Sequence, residues 1–489
     1  MSCKIFLLND VPMTRTTKFD EQTSPGITRR ALLARTGMGF GMLGLAGLLD
    51  GEDLLASVPS GPQRPHFSPR AKTVIHIFLN GGLSQVDSFD PKPMLTRYDG
   101  KQLPYRNPLT PFMTGHAFAS PFKFPRCGEC GTEISELFPF IGSVADDICV
   151  VRSMTTSSPI HEAALMLINC GSFSQLTPSM GSWLSYGLGS ENENLPNFIV
   201  LCPGKGRVPV KGSDNWRSAF LPSVHQGMLL DTAYKRVDQL VENVRSSLAG
   251  PRQQRRQVDL LQQLNRRHAD QRGGDDALES RIASYELAYR MQTAAVDAFD
   301  VDREPEYIHK MYGNSDQANQ LLVARRLAER GVRFVQVWHG PSQPWDNHSN
   351  IFPQLRRLAL DCDRPIAALI LDLKQRGLLE ETLVIVSGEF GRTPTMQMND
   401  DGTSGKGRDH NSYGFSLLLA GGGIKAGQVY GATDDFGYKA IEKPMDIPDL
   451  HATVLHQLGI DHKKLIYRHA GRDFRLTDLA GRVVHDLFA

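Results

Sequence analysis

Residues 73–90 read TVIHIFLNGGLSQVDSFD. Thr73 to Leu79 is an unbroken run of β-branched and apolar residues around a single His76. It is too short for a helix and shows no polar alternation, so it predicts a strand buried on both faces. The run stops at the turn residues Asn80-Gly81-Gly82, and Ser84, Asp87 and Asp90 follow. Runs of the same kind recur at 148–152, 197–201, 332–338, 382–387 and 415–420. Helical spacing lies between several of them. Ile366, Leu369, Ile370 and Leu373 follow i, i+3, i+4, i+7, with Gly377 placed to stop the helix. Strands alternating with helices predict an α/β fold, a large mostly parallel sheet with helices on both faces.

In such a sheet, ligands bind beyond the carboxyl ends of the strands. Polar clusters fall there: Asp87 and its neighbours, then WHGPSQPWDNHSN with His339, Asp346 and His348, then SGEFGRTP with Glu389 and Arg392. A fourth, GRDHNSYG, brings Arg408 and His410 just before the run at 415. Asp346 and His348, joined by Glu389 and His410, predict a divalent metal site. Carboxylate and imidazole suit zinc, manganese or iron; more carboxylate with water suits magnesium or calcium. Such an ion polarises an anionic ester, and Arg392 and Arg408 either grip its phosphate or sulfate or pair with Asp409 or Glu389.

The segment SSPIHEAA places His161 near the start of an apolar helix. Ser158 is expected as its N-cap and Pro159 as its first residue. The helix end offers backbone N–H groups to an anion.

The chain of 489 residues carries 54 Lys+Arg against 53 Asp+Glu, a formal net charge of +1. No basic field exists to hold nucleic acid. Thr28-Arg29-Arg30 precedes a short, Gly-rich apolar run, TGMGFGMLGLAGLL. An arginine pair before a short apolar run is a twin-arginine export address. The expected organisation is a signal segment over 1–57, a linker over 58–72 and one α/β domain over 73–489. Within it, 229–330, rich in Arg, Gln, Asp and Leu, is expected to be a helical insertion with solvated faces. The expected location is periplasmic or exported, with no membrane span once the signal is removed. Cys127 and Cys130 form a lone C-x-x-C, either a local disulfide or an inert pair.

The stretch FSLLLAGGGIKAG at 415–427 and PDLHATVLHQLG at 448–459 resemble the alkaline phosphatase/sulfatase superfamily. The phrases GGLSQVDSFDPKP, WDNHSNIF, SGEFGRTP, GRDHNSYGFSLLLAGGGIKAG and AGRDFRLTD resemble more closely an exported bacterial family, domain of unknown function fifteen-oh-one. The resemblance implies the superfamily's large sheet with a metal site at the strand ends. It implies metal ligands at Asp346, His348 and His410, with Asn80 near the superfamily's first Asp and Asp87 further on. Glu389-Phe390 stands where the superfamily has Asp-His. His161 falls at its nucleophile, as nucleophile, ligand, base or plain helix start. No C-x-P-S-R motif occurs, which argues against formylglycine chemistry. The expected activity is metal-dependent hydrolysis of phosphate or sulfate esters, on a small-molecule or glycan substrate. The alternative is a non-catalytic relative that binds an anionic glycan or a protein partner.

Overall fold

The computed structural model describes residues 64–192, 194–203, 208–232, 251–271 and 297–489. The arginine pair and its apolar run lie outside them, as does much of 229–330. The strands of the main sheet are β1 (Thr73–Phe78), β2 (Ile148–Thr155), β3 (Phe198–Cys202), β4 (Met228–Asp231), β5 (Phe334–Trp338), β6 (Thr382–Ser387), β7 (Phe415–Ala420), β8 (Gln428–Tyr430) and β9 (Met445–Asp446). Their order is β8-β2-β7-β6-β1-β5-β3-β4, with β9 paired to β2. Only β7 runs against its neighbours, β6 and β2; every other pairing is parallel. The expected mostly parallel α/β sheet is the one observed, and all six runs picked from the sequence are strands in it.

Side chains alternate across β1 and build two cores. Ile75 and Ile77 face one layer with α3 (Asp316–Glu329) and α4 (Ile351–Gln375). Val74 and Phe78 face the other, with α1 (His161–Cys170), α2 (Met180–Leu188) and α5 (Ile447–Gln457). A strand covered on both faces needs an apolar side chain at nearly every position, which is why β1 reads as a continuous run. In α4 the four residues Ile366, Leu369, Ile370 and Leu373 are all buried, and Gly377 turns the chain at φ 71°. Pro365 removes one rung inside that helix. The carbonyl it leaves free, Asp361 O, accepts from Ser315 Oγ at 2.8 Å, and the same hydroxyl caps α3 by accepting from Ala318 N.

The span 229–330 departs from its expected form at both described ends. Residues 229–231 belong to the edge strand β4, and α3 is a core layer of the sheet rather than a solvated helix. Pro251–Gln271 is a helix with exposed charges such as Arg255, as expected, but the arginines of α3 pair inside. Arg325 is buried against Glu304, Glu329 and Asp372, at 2.7, 2.6 and 3.0 Å. Cys127 and Cys130 are free thiols on a tight hairpin whose Glu129 and Cys130 amides donate to Asp146. Among the described residues no helix is long and apolar enough to cross a membrane.

The second core holds two buried imidazoles. His76 Nε2 lies 2.8 Å from Ser387 Oγ and His451 Nε2 2.8 Å from Ile168 O. Burial, and for His76 the nearby His451 as well, pushes their pKa values down to about 3 and about 4. Both are therefore neutral in the fold. A folded pKa below the unfolded ~6.5 gives stability that is complete above that pH and lost as pH falls towards the folded value. Unfolding free energy should drop by roughly 1.4 kcal/mol per pH unit for each of the two below pH 6.5. Urea unfolding at pH 7 and pH 5 measures this, and His451→Gln should make the decline shallower. An unchanged decline in that variant would count against a buried neutral His451.

Candidate metal centre

Four segments at one end of the sheet's strands supply the site. His161 opens α1, which follows β2. Asp346 and His348 lie in the loop after β5, and Glu389 follows β6. His410 sits on the short strand Arg408–Asn411, paired antiparallel to Gly391–Gln397, which carries Arg392. Gly81 lets these segments close up: its φ is 113°, and a Cβ there would stand 2.5 Å from the Asp346 amide nitrogen.

The structure brings His161, Asp346, His348 and His410 together, with one donor atom of each lying within 4.8 Å of the others. Asp346 Oδ1 stands 3.2 Å from His161 Nε2, 2.8 Å from His348 Nε2 and 3.2 Å from His410 Nε2. The His348 and His410 Nε2 atoms are 3.1 Å apart. Bonds of ~2.0–2.1 Å in tetrahedral geometry place donor atoms roughly 3.3 Å apart, close to these spacings.

Each imidazole is held from behind by an acceptor. His161 Nδ1 lies 2.7 Å from Glu389 Oε1, His410 Nδ1 2.7 Å from Pro159 O, and His348 Nδ1 meets Gln397 Oε1. A carbonyl or carboxylate only accepts, so these partners assign the proton to Nδ1 and turn the Nε2 lone pairs inwards. The His161 Nε2 is buried with no hydrogen-bond partner. Inward lone pairs, a carboxylate oxygen and an orphaned buried nitrogen fit a cation.

Charge follows the same geometry. Burial works to lower the His161 pKa, but Asp346 and Glu389 raise it to about 9. The Nε2–Asp346 approach lacks hydrogen-bond alignment, so Glu389 is the firmer cause. Burial pushes His410 down to about 3, with Arg392 and His161 adding to the effect against the pull of Asp346. Burial would raise the Asp346 carboxyl, yet the three imidazoles and Arg392 hold it well below the usual carboxylate range. The cluster thus stores one proton on His161 where a cation would replace it.

The remaining expected site residues lie around the cluster. Glu389 is the fully buried partner of the His161 ring, and both its oxygens accept from Gly81 N, at 3.0 and 3.1 Å. A carboxylate behind a ligating histidine orients the ring. Arg392 donates to Asp346 Oδ1 at 2.6 Å, to Gly82 O at 3.0 Å and to Gly81 O. Asp87, expected as a ligand, lies outside the cluster, because both its oxygens are taken by Arg408, at 2.8 and 3.1 Å. Arg408 is correspondingly committed to Asp87 and to Thr393 O. Helix α1 begins at His161, not Pro159, with Ile160 as its N-cap. Ser158 Oγ accepts from Ile160 N, and the Pro159 carbonyl is left for His410.

A second set of residues, of which only His339 was named from the sequence, steadies the loop. Trp345 Nε1 donates to His339 Nδ1 at 2.8 Å, and His339 Nε2 lies 2.9 Å from Asp361 Oδ2. This ties the residue before Asp346 to α4. A depression lined by Glu162, Met166, Phe173 and Lys211 runs along α1, and none of the four cluster residues lines it.

The family described as "Protein of unknown function (DUF1501)" matches residues 71–488. None of the curated proteins matches the sequence. Among solved structures the chain is similar to the PsFucS1 sulfatase from Pseudoalteromonas sp., with 14% identity over 86% of this chain and 71% of that one and a TM-score of 0.33. It is similar to the lipoteichoic acid synthase LtaP from Listeria monocytogenes, with 10% identity over 86% and 78% and a TM-score of 0.33. It is also similar to the alkaline phosphatase from the Antarctic bacterium TAB5, with 11% identity over 74% and 95% and a TM-score of 0.29. The family match takes in every strand of the main sheet and all four residues of the cluster, and the chain belongs to that family of unknown function.

Proposed function

We propose that the protein is a metal-dependent hydrolase of phosphate or sulfate esters, with a single zinc-type cation held by His161, Asp346, His348 and His410. The observation that carries this reading is the convergence of three imidazole Nε2 atoms on Asp346 Oδ1 at the strand ends. Three nitrogens and one oxygen suit zinc, manganese or iron better than magnesium or calcium, which take oxygen ligands. When bound, the cation supplies Lewis acidity to an ester oxygen and to water. The chain's own residues do the rest. Glu389 and Gln397 hold the rings, Arg392 fixes the Asp346 carboxylate, and Pro159 O fixes His410. The side chains of His348 and Asp346 are 27% and 24% exposed against 11% and 6% for His161 and His410, so the approach for substrate lies on the His348 side.

One observation favours a second reading. Arg392 and Arg408 are buried and spend their donors within the protein, so neither is offered to an anionic substrate. Arginines committed in this way favour the alternative of a non-catalytic member of the fold. The two readings separate on turnover. Zinc-loaded protein should hydrolyse an aryl phosphate or aryl sulfate, chelation should abolish this, and His161→Ala should lower turnover at least ~100-fold together with metal content. A loaded protein inert on both esters decides for the second reading.

We further propose export by the twin-arginine route, supported by Arg29 and Arg30 before the Gly-rich run. Replacing both with lysine should strand the precursor in the cytoplasm. Normal appearance of that double variant in the periplasm would remove the assignment.

A further inference from the structure

An apolar rim that the fold does not use lies beside the opening of the centre. Leu109, Met113 and Phe112 are 82%, 68% and 50% exposed, and Tyr413 joins them. Single exposed apolar residues need no explanation; three within five residues, with a tyrosine tied to the same loop, form a patch. The loop is fastened by its backbone. Phe112 N donates to Asp409 Oδ2 at 2.7 Å, and the other oxygen of that carboxylate accepts from His410 N at 2.7 Å. Tyr413 Oη donates to Leu109 O at 3.1 Å, and Met398 N to Met113 O at 2.8 Å. The side chains are therefore held out into water by ties to the strands that carry the site. The Phe112 ring stands edge-on to the His348 ring, with centroids 5.1 Å apart, on the more open side of the cluster.

We propose that this rim is a subsite for the aromatic, uncharged portion of an anionic ester, whose acidic group then meets the metal centre. The role of the ester rests on the hydrolase reading; the aromatic preference does not. A body covering Phe112 stands over His348, so its occupant and the occupant of the centre are parts of one molecule. The acidic group nearest the loop backbone, Asp409, has both oxygens taken by amides and offers little to a charged partner. What the rim recognises is apolar area, and an aromatic ring packs edge or face against Phe112 and Tyr413.

Binding of phenylphosphonate and of methylphosphonate to the zinc-loaded chain, measured by calorimetry, tests this. Phenylphosphonate should bind at least about tenfold tighter, the scale expected for burying a ring's extra carbons. Leu109→Ser with Phe112→Ser should reduce the ratio below about threefold, with circular dichroism and metal content unchanged. Equal affinities, no binding of either compound, or a ratio that survives the double substitution overturns the proposal. A dimer that the same substitutions dissociate would assign the rim to a second copy and overturn it too. Absent ester turnover with the ratio intact defeats the hydrolase reading and leaves the subsite. Turnover without the ratio does the reverse.

Discussion

Protein purified without chelator is expected to carry about one equivalent of a zinc-type cation, and His348→Ala or His410→Ala to lose it. The cluster sets the His348 and His410 Nε2 atoms 3.1 Å apart, and each variant removes one of only four donors. A ligand that binds only the folded state adds stability by mass action, about 4 kcal/mol at a thousandfold excess over its dissociation constant. Chelation should therefore lower the melting temperature, and added zinc restore it. Affinity should weaken as pH falls below about 9, because the cation has to displace the proton held on His161. Elemental analysis of the purified chain, read with melting curves, is the check. A wild-type protein without metal, whose melting ignores zinc and manganese, would leave these residues as polar packing.

Asp87→Ala should be the most damaging single change away from the cluster. The Asp87–Arg408 pair is fully buried, bidentate, and supported by Ser84 Oγ at 2.6 Å. The guanidinium also lies over the Phe118 ring, 4.9 Å from its centroid. Removing the carboxylate leaves a buried charge without its counterion, at a cost of about 3–5 kcal/mol. That is a large part of the 5–15 kcal/mol typical of a folded protein. The variant should be poorly soluble or melt far below wild type, whereas Asp87→Ala combined with Arg408→Met should recover part of the loss. Denaturation of Asp87→Ala within about 1 kcal/mol of wild type would show that the pair contributes little.

The six interior strands were legible because each is largely buried on both faces and so mostly apolar, Thr73 to Leu79 most clearly, whereas the partly exposed β4, β8 and β9 were not. The cluster was largely legible because strand ends confine where loops can meet. What failed to show was pairing across distance. Asp87 and Arg408 lie 321 positions apart, so nothing local says that each consumes the other. Glu389 looked like a ligand because a carboxylate near histidines can sit in front of an ion or behind a ring, and residue type does not distinguish the two. The charges of α3 suggested a wet surface, whereas Arg325 meets three acidic partners inside the fold. The exposed Leu109–Met113 loop carries no titratable group and gave no signal until Phe112 was found against His348.

The four donors of the cluster arrive at positions 161, 346, 348 and 410, from three separate crossings of the sheet. A growing chain acquires the first long before the last. A copy that ends before residue 410, or whose strand Arg408–Asn411 has not docked, offers at most three donors and lacks the wall that closes the site. An ion that required all four would therefore tell a copy with Arg408–Asn411 docked from one without it.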